Sequence, residues 1–191
     1  MARGRLFVIS GPSGAGKGTV VREVLRRRPD ILLSVSATTR PARAGERHGV
    51  DYHFIASNDF LGQRDSGGFL EWAEVYGNLY GTPRAPVDAA LASGRDVICE
   101  LDIQGAQSVK RARPEALLVF IEPPSLDELF MRLRRRGTED PEALSARLRA
   151  AYEEVVQKGL YDHIVVNDDL EQAVEALLRI LEGKKPRKEP R

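Results

Sequence analysis

The hydrophobic residues of the chain occur in short continuous runs that alternate with longer stretches in which apolar and polar residues are mixed. The short runs have the length and the β-branched content of buried strands, whereas the longer stretches carry apolar residues at helical spacing. The predicted strands are 6–10, 31–36, 97–101, 117–121 and 164–166. Strands of this kind separated by helices favour an α/β fold, with a parallel sheet that is covered by helices on both faces.

Several helices between these strands are predicted from residues that cap helix ends. Thr82 is a favoured N-cap residue, and Pro83 would then occupy the first helical position. Ser125 and Glu128 have the spacing of a capping box. The asparagine and aspartate at 167–168 are predicted to cap the last helix. The sequence therefore predicts helix starts at these three places.

One stretch of the chain, 37–81, interrupts the alternation of strands and helices. It combines arginines and turn-forming glycines with two aromatic, strand-like runs at 52–55 and 69–76. This pattern predicts a small, mostly β insertion. One aromatic residue of each run, Phe54 of the first and Trp72 of the second, is expected to lie in its core.

The composition is that of a globular domain. The chain has 191 residues, of which 42% are hydrophobic and 30% charged. Because the formal net charge is only +1, nucleic acid and anionic membrane surfaces are not expected as partners. The single cysteine, Cys99, excludes an internal disulfide bond. No apolar run approaches the length of a membrane span or of a signal peptide, so a cytoplasmic protein is expected.

A glycine-rich loop follows the first predicted strand directly and precedes the first predicted helix. Residues 11–17 fit the G-x-x-x-x-G-K pattern of a phosphate-binding P-loop. In such a loop, backbone N–H groups surround an anion, the helix N-terminus adds partial positive charge, and the lysine reaches the β- and γ-phosphates. The alternative is a plain strand-to-helix turn. The predicted ATP-binding residues of this segment are Gly11, Pro12, Ser13, Gly14, Ala15, Gly16, Lys17, Gly18 and Thr19.

The residue after the lysine is Gly18, where a strict P-loop has a serine or threonine that faces magnesium. Thr19 supplies a hydroxyl one residue later. Asp102 is an acidic candidate, because it follows the predicted strand 97–101 at the end where open parallel sheets bind ligands. The alternative is an acid that merely begins the next turn. We expect Mg²⁺ to be held mainly by phosphates and water, with Asp102 and Thr19 as candidate ligands.

The insertion contains a second group of anion-binding side chains. Arg40 and Arg43 lie three residues apart, and Tyr52 follows in the same segment. Two guanidinium groups and a phenol hydroxyl suit a phosphate monoester. The alternative is that the two arginines are solvated loop charges.

Several segments, in this order, resemble the signature segments of guanylate kinases. They are 34–54, 69–74, 76–82, 101–105, 136–139 and 166–168. The similarity extends from about Leu6 to Leu181, which is most of the chain. Together these segments are far more specific than the P-loop alone.

The resemblance implies transfer of the γ-phosphoryl group from ATP to GMP or dGMP, and it assigns roles by position. The phosphate of GMP would be held by Arg40, Arg43, Tyr52 and Tyr80, and its guanine by Ser36, Glu71 and Thr82, with Asp102 nearby. The triphosphate would be contacted by Arg136 and Arg147, and the adenine would lie near Asn167 and Asp168. The predicted catalytic residues are Lys17, Arg40, Arg136 and Arg147.

Glu71 has a chemical reason for its implied role. Guanine presents adjacent N1–H and N2–H₂ donors, and one carboxylate accepts from both, whereas adenine presents an acceptor there. Without the resemblance, Glu71 would be interpreted as an ordinary acid on a strand surface.

The resemblance also divides the chain into a P-loop core, a monophosphate-binding insertion and a helical lid. The predicted parts are the core at 1–36, 82–136 and 150–183, the insertion at 37–81, the lid at 137–149, and a disordered basic tail at 184–191. Two other functions remain open from the residues: an adenylate kinase-like enzyme and a non-catalytic binding module of the same fold. The oligomeric state is not predicted.

Overall fold

The computed structural model describes residues 3–75, 77–135 and 141–184, with the side chains of 135 and 141–147 excepted. By its contacts the chain divides into two compact units. The first unit comprises Met1–Val8 and Asp30–Ala116, and the second comprises Ile9–Pro29 and Leu117–Arg191. In the described part of the chain, none of the helices has the length and apolar character needed to cross a membrane.

Strands and helices alternate along most of the chain. In order they are β1 (Leu6–Ser10), α1 (Lys17–Arg27), β2 (Leu32–Leu33), β3 (Ala37–Thr38), β4 (His53–Phe54), α2 (Ser57–Asp65), β5 (Phe69–Val75), β6 (Asn78–Pro83), α3 (Arg84–Ala92), β7 (Val97–Glu100), α4 (Ile103–Ala112), β8 (Leu117–Glu122), α5 (Leu126–Arg135), α6 (Pro141–Val156), a 3₁₀ helix (Gln157–Leu160), β9 (His163–Val166) and α7 (Leu170–Leu181).

The main sheet has five strands in the order β2-β7-β1-β8-β9. The pairs β2–β7 and β8–β9 are parallel. Every residue of β1 is buried, which explains why this strand is a continuous apolar run rather than an alternating one. The α/β fold with a parallel, helix-flanked sheet is therefore confirmed.

A second, four-stranded sheet has the order β4-β3-β6-β5 and lies in the first unit. It is mixed, because β3 pairs parallel with β4 and antiparallel with β6. Its core contains buried Ala37, Phe60 and Phe69, with Ile55 and Leu79 packed against them. The mostly β character predicted for this stretch is confirmed.

The prediction that Trp72 belongs to this core is wrong, because its side chain is 45% exposed. β5 is buried at its start and alternates afterwards, and Trp72 is its first exposed position. The Arg64 guanidinium lies 5.1 Å from the indole centroid and covers part of the ring. Phe54 is half-buried and has Tyr52 beside it.

The predicted strand 31–36 is also wrong in its extent. Only Leu32–Leu33 belongs to the main sheet, and the chain enters the second sheet at Ala37. The sequence analysis missed β6, which pairs with β5 so that Val75 lies opposite Asn78. Gly77 lies in the turn between them and has a φ of 73°, a conformation that glycine adopts without steric cost.

Two of the three predicted caps are wrong. The N-cap of α3 is Pro83, and Thr82 lies in β6, where its hydroxyl has another partner. The N-cap of α7 is Asp169, whose carboxylate accepts from the N–H of Gln172 at 3.0 Å. At α5 the Ser125 hydroxyl does accept from the N–H of Glu128, at 3.1 Å. Thr82 and Asn167 are thus available for other contacts.

Candidate nucleotide-binding sites

The glycine-rich loop lies in the second unit and joins β1 to α1. Gly16 is the N-cap of α1 and has a φ of 84°, so a side chain there would be strained. At Gly11 a Cβ would collide with the carbonyl oxygen of Ile121. No side chain caps α1 and no acidic residue occupies its first turn. This helix N-terminus therefore keeps the partial positive charge that attracts a phosphate.

Lys17 is the first residue of α1 and is half-buried. Thr19, two residues further along the helix, is exposed, and its hydroxyl accepts from the Arg22 guanidinium at 3.4 Å. A phosphate in the loop would lie at the start of the helix that carries Lys17. The observed geometry suits the role of a phosphate-binding lysine.

Asn167 directly follows β9 and is only 7% exposed. Its side-chain amide donates to the carbonyl oxygen of Ala15 in the glycine-rich loop, at 2.6 Å. Its backbone N–H donates to the carbonyl of Glu122 at 2.8 Å, and its carbonyl accepts from Arg132 at 3.0 Å. The neighbouring Asp168 is exposed. Asn167 therefore contacts the loop itself.

The two arginines that the resemblance places on the triphosphate lie wholly or partly outside the described residues. Arg136 lies outside the described residues, as do 137–140 of the predicted lid. The backbone of Arg147 belongs to α6, but the side chain of this residue lies outside the described part. The tail from 185 onward is also outside it. These assignments stay predictions.

A buried carboxylate marks the candidate acceptor site in the first unit. Glu71 on β5 is 8% exposed, and its Oε1 accepts from the hydroxyl of Thr82 on β6 at 2.6 Å. The packing of α4 against β5 brings Gly105 beside the other oxygen, because a Cβ on Gly105 would lie 3.2 Å from Oε2. One carboxylate oxygen is thus held by protein, and the other faces a residue without a side chain.

The environment of Glu71 opposes its ionisation. Burial raises the pKa of this carboxyl, and the nearby Asp102 raises it further, whereas the Thr82 hydroxyl lowers it. Asp102 is the N-cap of α4, and its Oδ1 accepts from the N–H of Gly105 at 2.7 Å. A ligand that donates hydrogen bonds to Glu71 would reduce the free-energy cost of ionising this buried carboxyl.

Arg40 is held in place by a carboxylate that the sequence analysis did not single out. Its two terminal nitrogens donate to the two oxygens of Glu46, each at 2.7 Å, and Nη1 also donates to the Pro41 carbonyl at 2.8 Å. The Tyr52 ring centroid lies 5.1 Å and the Phe54 centroid 5.6 Å from the guanidinium carbon. Arg40 is 9% exposed, so this is a built position and not a solvated loop charge.

Glu46 binds a second part of the same segment. Its carboxylate accepts from the backbone N–H of Arg43 at 2.8 Å. The Arg40 guanidinium and then the Arg43 N–H lower the pKa of Glu46 to about 2. The signal that could have found this residue is its spacing: it is the acid that follows both arginines within one turn-forming stretch.

The remaining predicted acceptor residues lie in the same unit. The rings of Tyr52 and Tyr80 meet edge to face with centroids 6.0 Å apart. A hydrogen bond with the Tyr80 side chain contributes to the raised pKa of Arg40, after the larger effect of Glu46. The Arg43 side chain is exposed, and Ser36 is half-buried, with its carbonyl accepting from the N–H of His53 at 2.8 Å.

The described residues contain no cluster of three histidine, cysteine, aspartate or glutamate side chains that could hold a metal ion. Magnesium does not need such a cluster, because it keeps several waters and binds through one or two carboxylates and substrate phosphates. The described residues are therefore compatible with a magnesium ion that is held mainly by substrate phosphates and water.

Comparisons with known proteins identify the family. A family model described as guanylate kinase matches residues 3–184. The guanylate kinase of Carboxydothermus hydrogenoformans is 50% identical over 185 residues, which cover 97% of this chain and 91% of the relative. The chain belongs to the guanylate kinase family.

Two other guanylate kinases support the assignment to the family. One from Thermus thermophilus is 52% identical over 185 residues, 97% of this chain and 84% of the relative. The crystal structure of guanylate kinase from Anaplasma phagocytophilum superposes with a TM-score of 0.79 at 33% identity, covering 98% of this chain and 89% of that one. The resemblance and the fold predicted from the sequence are confirmed, and neither alternative function gains support.

Proposed function

We propose that the chain binds ATP phosphates with the glycine-rich loop of its second unit and GMP with the Glu71 and Arg40 groups of its first unit. The reaction is that of the guanylate kinase family, in which the γ-phosphoryl group of ATP passes to GMP to give ADP and GDP. The chain is in this sense an ATP:GMP phosphotransferase. The division into core, insertion and lid is part of the same proposal.

The observation that carries the choice of acceptor is the buried pair of Glu71 and Thr82. The Thr82 hydroxyl occupies one carboxylate oxygen and fixes the orientation of the group. The carboxylate can then accept from the N1–H and N2–H₂ donors of guanine. Adenine has an acceptor at N1, so it would place a lone pair against the buried carboxylate where guanine places a donor, and such a mismatch is a strong basis for rejecting an analogue.

The contacts of Arg40 leave part of its guanidinium for the phosphate of GMP. A guanidinium has five N–H donors, and Glu46 and Pro41 use three of them on the two terminal nitrogens. Glu46 and Pro41 leave Nε–H and the second Nη2 hydrogen, and Tyr80 also hydrogen-bonds this guanidinium. The phosphate of GMP would bind here beside Tyr80, on a group that Tyr52 and Phe54 hold in place. Tyr80, Tyr52 and Arg43 complete this group in the proposal.

On the donor side, Lys17 would neutralise the β- and γ-phosphates while the loop N–H groups bind them. Phosphoryl transfer needs mainly positioning and positive charge, because the acceptor phosphate oxygen is already ionised. Arg136 and Arg147 are proposed to add charge at the γ-phosphoryl group, and the lid to exclude water. Magnesium would supply further charge neutralisation, with Asp102 and Thr19 as the candidate protein ligands.

A steady-state assay with ATP and a panel of acceptors tests the proposal. GMP should be phosphorylated with the highest kcat/KM, and dGMP should also react, because the proposed contacts are with base and phosphate. AMP, UMP and CMP should react at least ~10³-fold less efficiently, since none of their bases presents the two adjacent N–H donors that guanine offers to Glu71. Equal or better use of AMP would reject the assignment of the acceptor.

We place the reaction in the cytoplasm, where these nucleotides are metabolised.

A further inference from the structure

Asn167 joins the end of β9 to the loop that is proposed to bind ATP phosphates. The resemblance implied only that this residue lies near the adenine. The structure instead directs its amide at the backbone of the loop, 152 positions earlier in the chain, with Nδ2 donating to the Ala15 carbonyl at 2.6 Å. The side chain is buried, so this hydrogen bond is shielded from competing water.

The hydrogen bond constrains the orientation of one peptide group. The described chain has no cis peptide bond, so the Ala15 C=O and the Gly16 N–H lie on opposite sides of a planar trans peptide. Holding the carbonyl toward Asn167 turns the Gly16 N–H away from it. That N–H belongs to the loop segment that forms the N-cap of α1, where a bound phosphate would lie.

Asn167 is itself held from two directions. Its N–H donates to the Glu122 carbonyl at the end of β8, and its own carbonyl accepts from Arg132 on α5. The Nε of Arg132 is paired with Glu128 one turn earlier, at 2.9 Å. The amide is thus fixed relative to a strand end and a helix, and both belong to the same unit as the loop.

Gly16 provides an independent sign of the fit between the two residues. A Cβ at this position would overlap the amide nitrogen of Asn167. The loop therefore approaches Asn167 closely at Gly16, and the N–H of Gly16 is the group that the orientation of the Ala15–Gly16 peptide directs. A shorter or apolar side chain at 167 would leave the Ala15 carbonyl buried without this donor.

We propose that Asn167 is a positioning residue for the donor phosphates, which acts by orienting the Ala15–Gly16 peptide and not by contacting the adenine. The inference rests on the proposed function, since it assumes that the loop binds the phosphates of ATP. Its consequence is specific: the effect of Asn167 should be the same for any polyphosphate, with or without a nucleoside.

The test is calorimetric titration of the whole protein with ATP and with inorganic tripolyphosphate, which has no base. Asn167→Ala should weaken both by a similar factor of roughly 10, and GMP binding should be unchanged. Asn58→Ala, the same substitution at an exposed position of α2, is the matched control and should alter none of the three. Asn167→Leu, which keeps the side-chain size, should behave like Asn167→Ala and serves where the smaller side chain impairs folding.

Two results would overturn the inference while leaving the proposed function intact. One is weaker ATP binding with normal tripolyphosphate binding, which would indicate a contact with the base. The other is unchanged binding of both ligands in a folded variant. If the wild-type protein binds neither ATP nor tripolyphosphate but still binds GMP, the assignment of the loop fails, and the inference fails with it.

Discussion

Replacing Glu71 by glutamine changes the proposed guanine-binding group with almost no change in its shape. The wild-type carboxylate has one oxygen on the Thr82 hydroxyl at 2.6 Å and is 8% exposed. In glutamine one of the two oxygens becomes an NH₂ donor. If the amide oxygen keeps its bond to Thr82, the NH₂ group meets the N–H donors of guanine.

The expected loss follows from these contacts. A hydrogen bond to a charged group contributes about 1.5–3 kcal/mol, and a buried donor left without an acceptor costs a further ~1–3 kcal/mol. The total is about 2.5–6 kcal/mol, which corresponds to a roughly 10²–10⁴-fold lower kcat/KM for GMP. If the amide rotates and donates to Thr82 instead, its oxygen accepts from guanine, and the loss falls toward the lower end of this range.

The assay is steady-state kinetics with GMP varied at saturating ATP, and then with ATP varied. Glu74→Gln, on the exposed face of the same strand, is the matched control and should retain wild-type kinetics. KM for ATP should barely change in either variant. A kcat/KM for GMP within threefold of wild type, in a folded Glu71→Gln protein, would refute the role of Glu71 in base recognition.

The raised pKa of Glu71 gives the same substitution a predicted effect on stability. The pKa of Glu71 is higher in the folded state than in the unfolded state. At a pH below the unfolded-state pKa the carboxyl is protonated in both states, so its burial does not lower the free energy of unfolding through ionisation. As the pH rises toward the folded pKa, the unfolded chain releases its proton first, and the folded state becomes less stable. Ligand-free Glu71→Gln should therefore equal or exceed wild type in unfolding free energy at neutral pH. This advantage should disappear in acid, as measured by denaturant titration.

Two further variants test the phosphate contacts. Lys17→Met should lower kcat by at least ~10²–10³-fold while GMP affinity and the melting temperature stay near wild type. Lys184→Met, at an exposed position, is the matched control. Wild-type turnover in Lys17→Met would contradict the P-loop assignment. Glu46→Gln should raise KM for GMP roughly 3–10-fold, because the bidentate hold on Arg40 is lost. Glu74→Gln is again the control, and an unchanged or lower KM for GMP would show that Glu46 does not orient Arg40.

The features that could be predicted from the sequence are those formed by neighbouring residues. The strand, loop and helix from Leu6 to Arg27 are continuous in the chain, so their apolar run, glycines and lysine report directly on local structure. The buried strands of the main sheet could be predicted for the same reason, because each is a continuous apolar run in the sequence. Arg40, Arg43 and Glu71 stood out through the order of motifs that resemble the family.

The partners of those residues could not be predicted in the same way. Thr82 looked like a helix cap, but the unrecognised β6 places it beside β5 with its hydroxyl on Glu71. Glu46 looked like a loop acid, and only the folded segment closes it onto Arg40. Capping preferences describe what a side chain can do locally, and here tertiary partners compete for the same hydroxyl or amide.

The sequence by itself determined the family, the α/β architecture and the identity of the groups that suit phosphate and guanine, since local spacing and residue chemistry carry that information. Only the tertiary structure decided which of those groups are buried and what orients them. The contact between Asn167 and Ala15 exists because the fold brings the residue after β9 against the loop after β1 within one unit. No local pattern in the sequence indicates a contact between residues so distant in the chain.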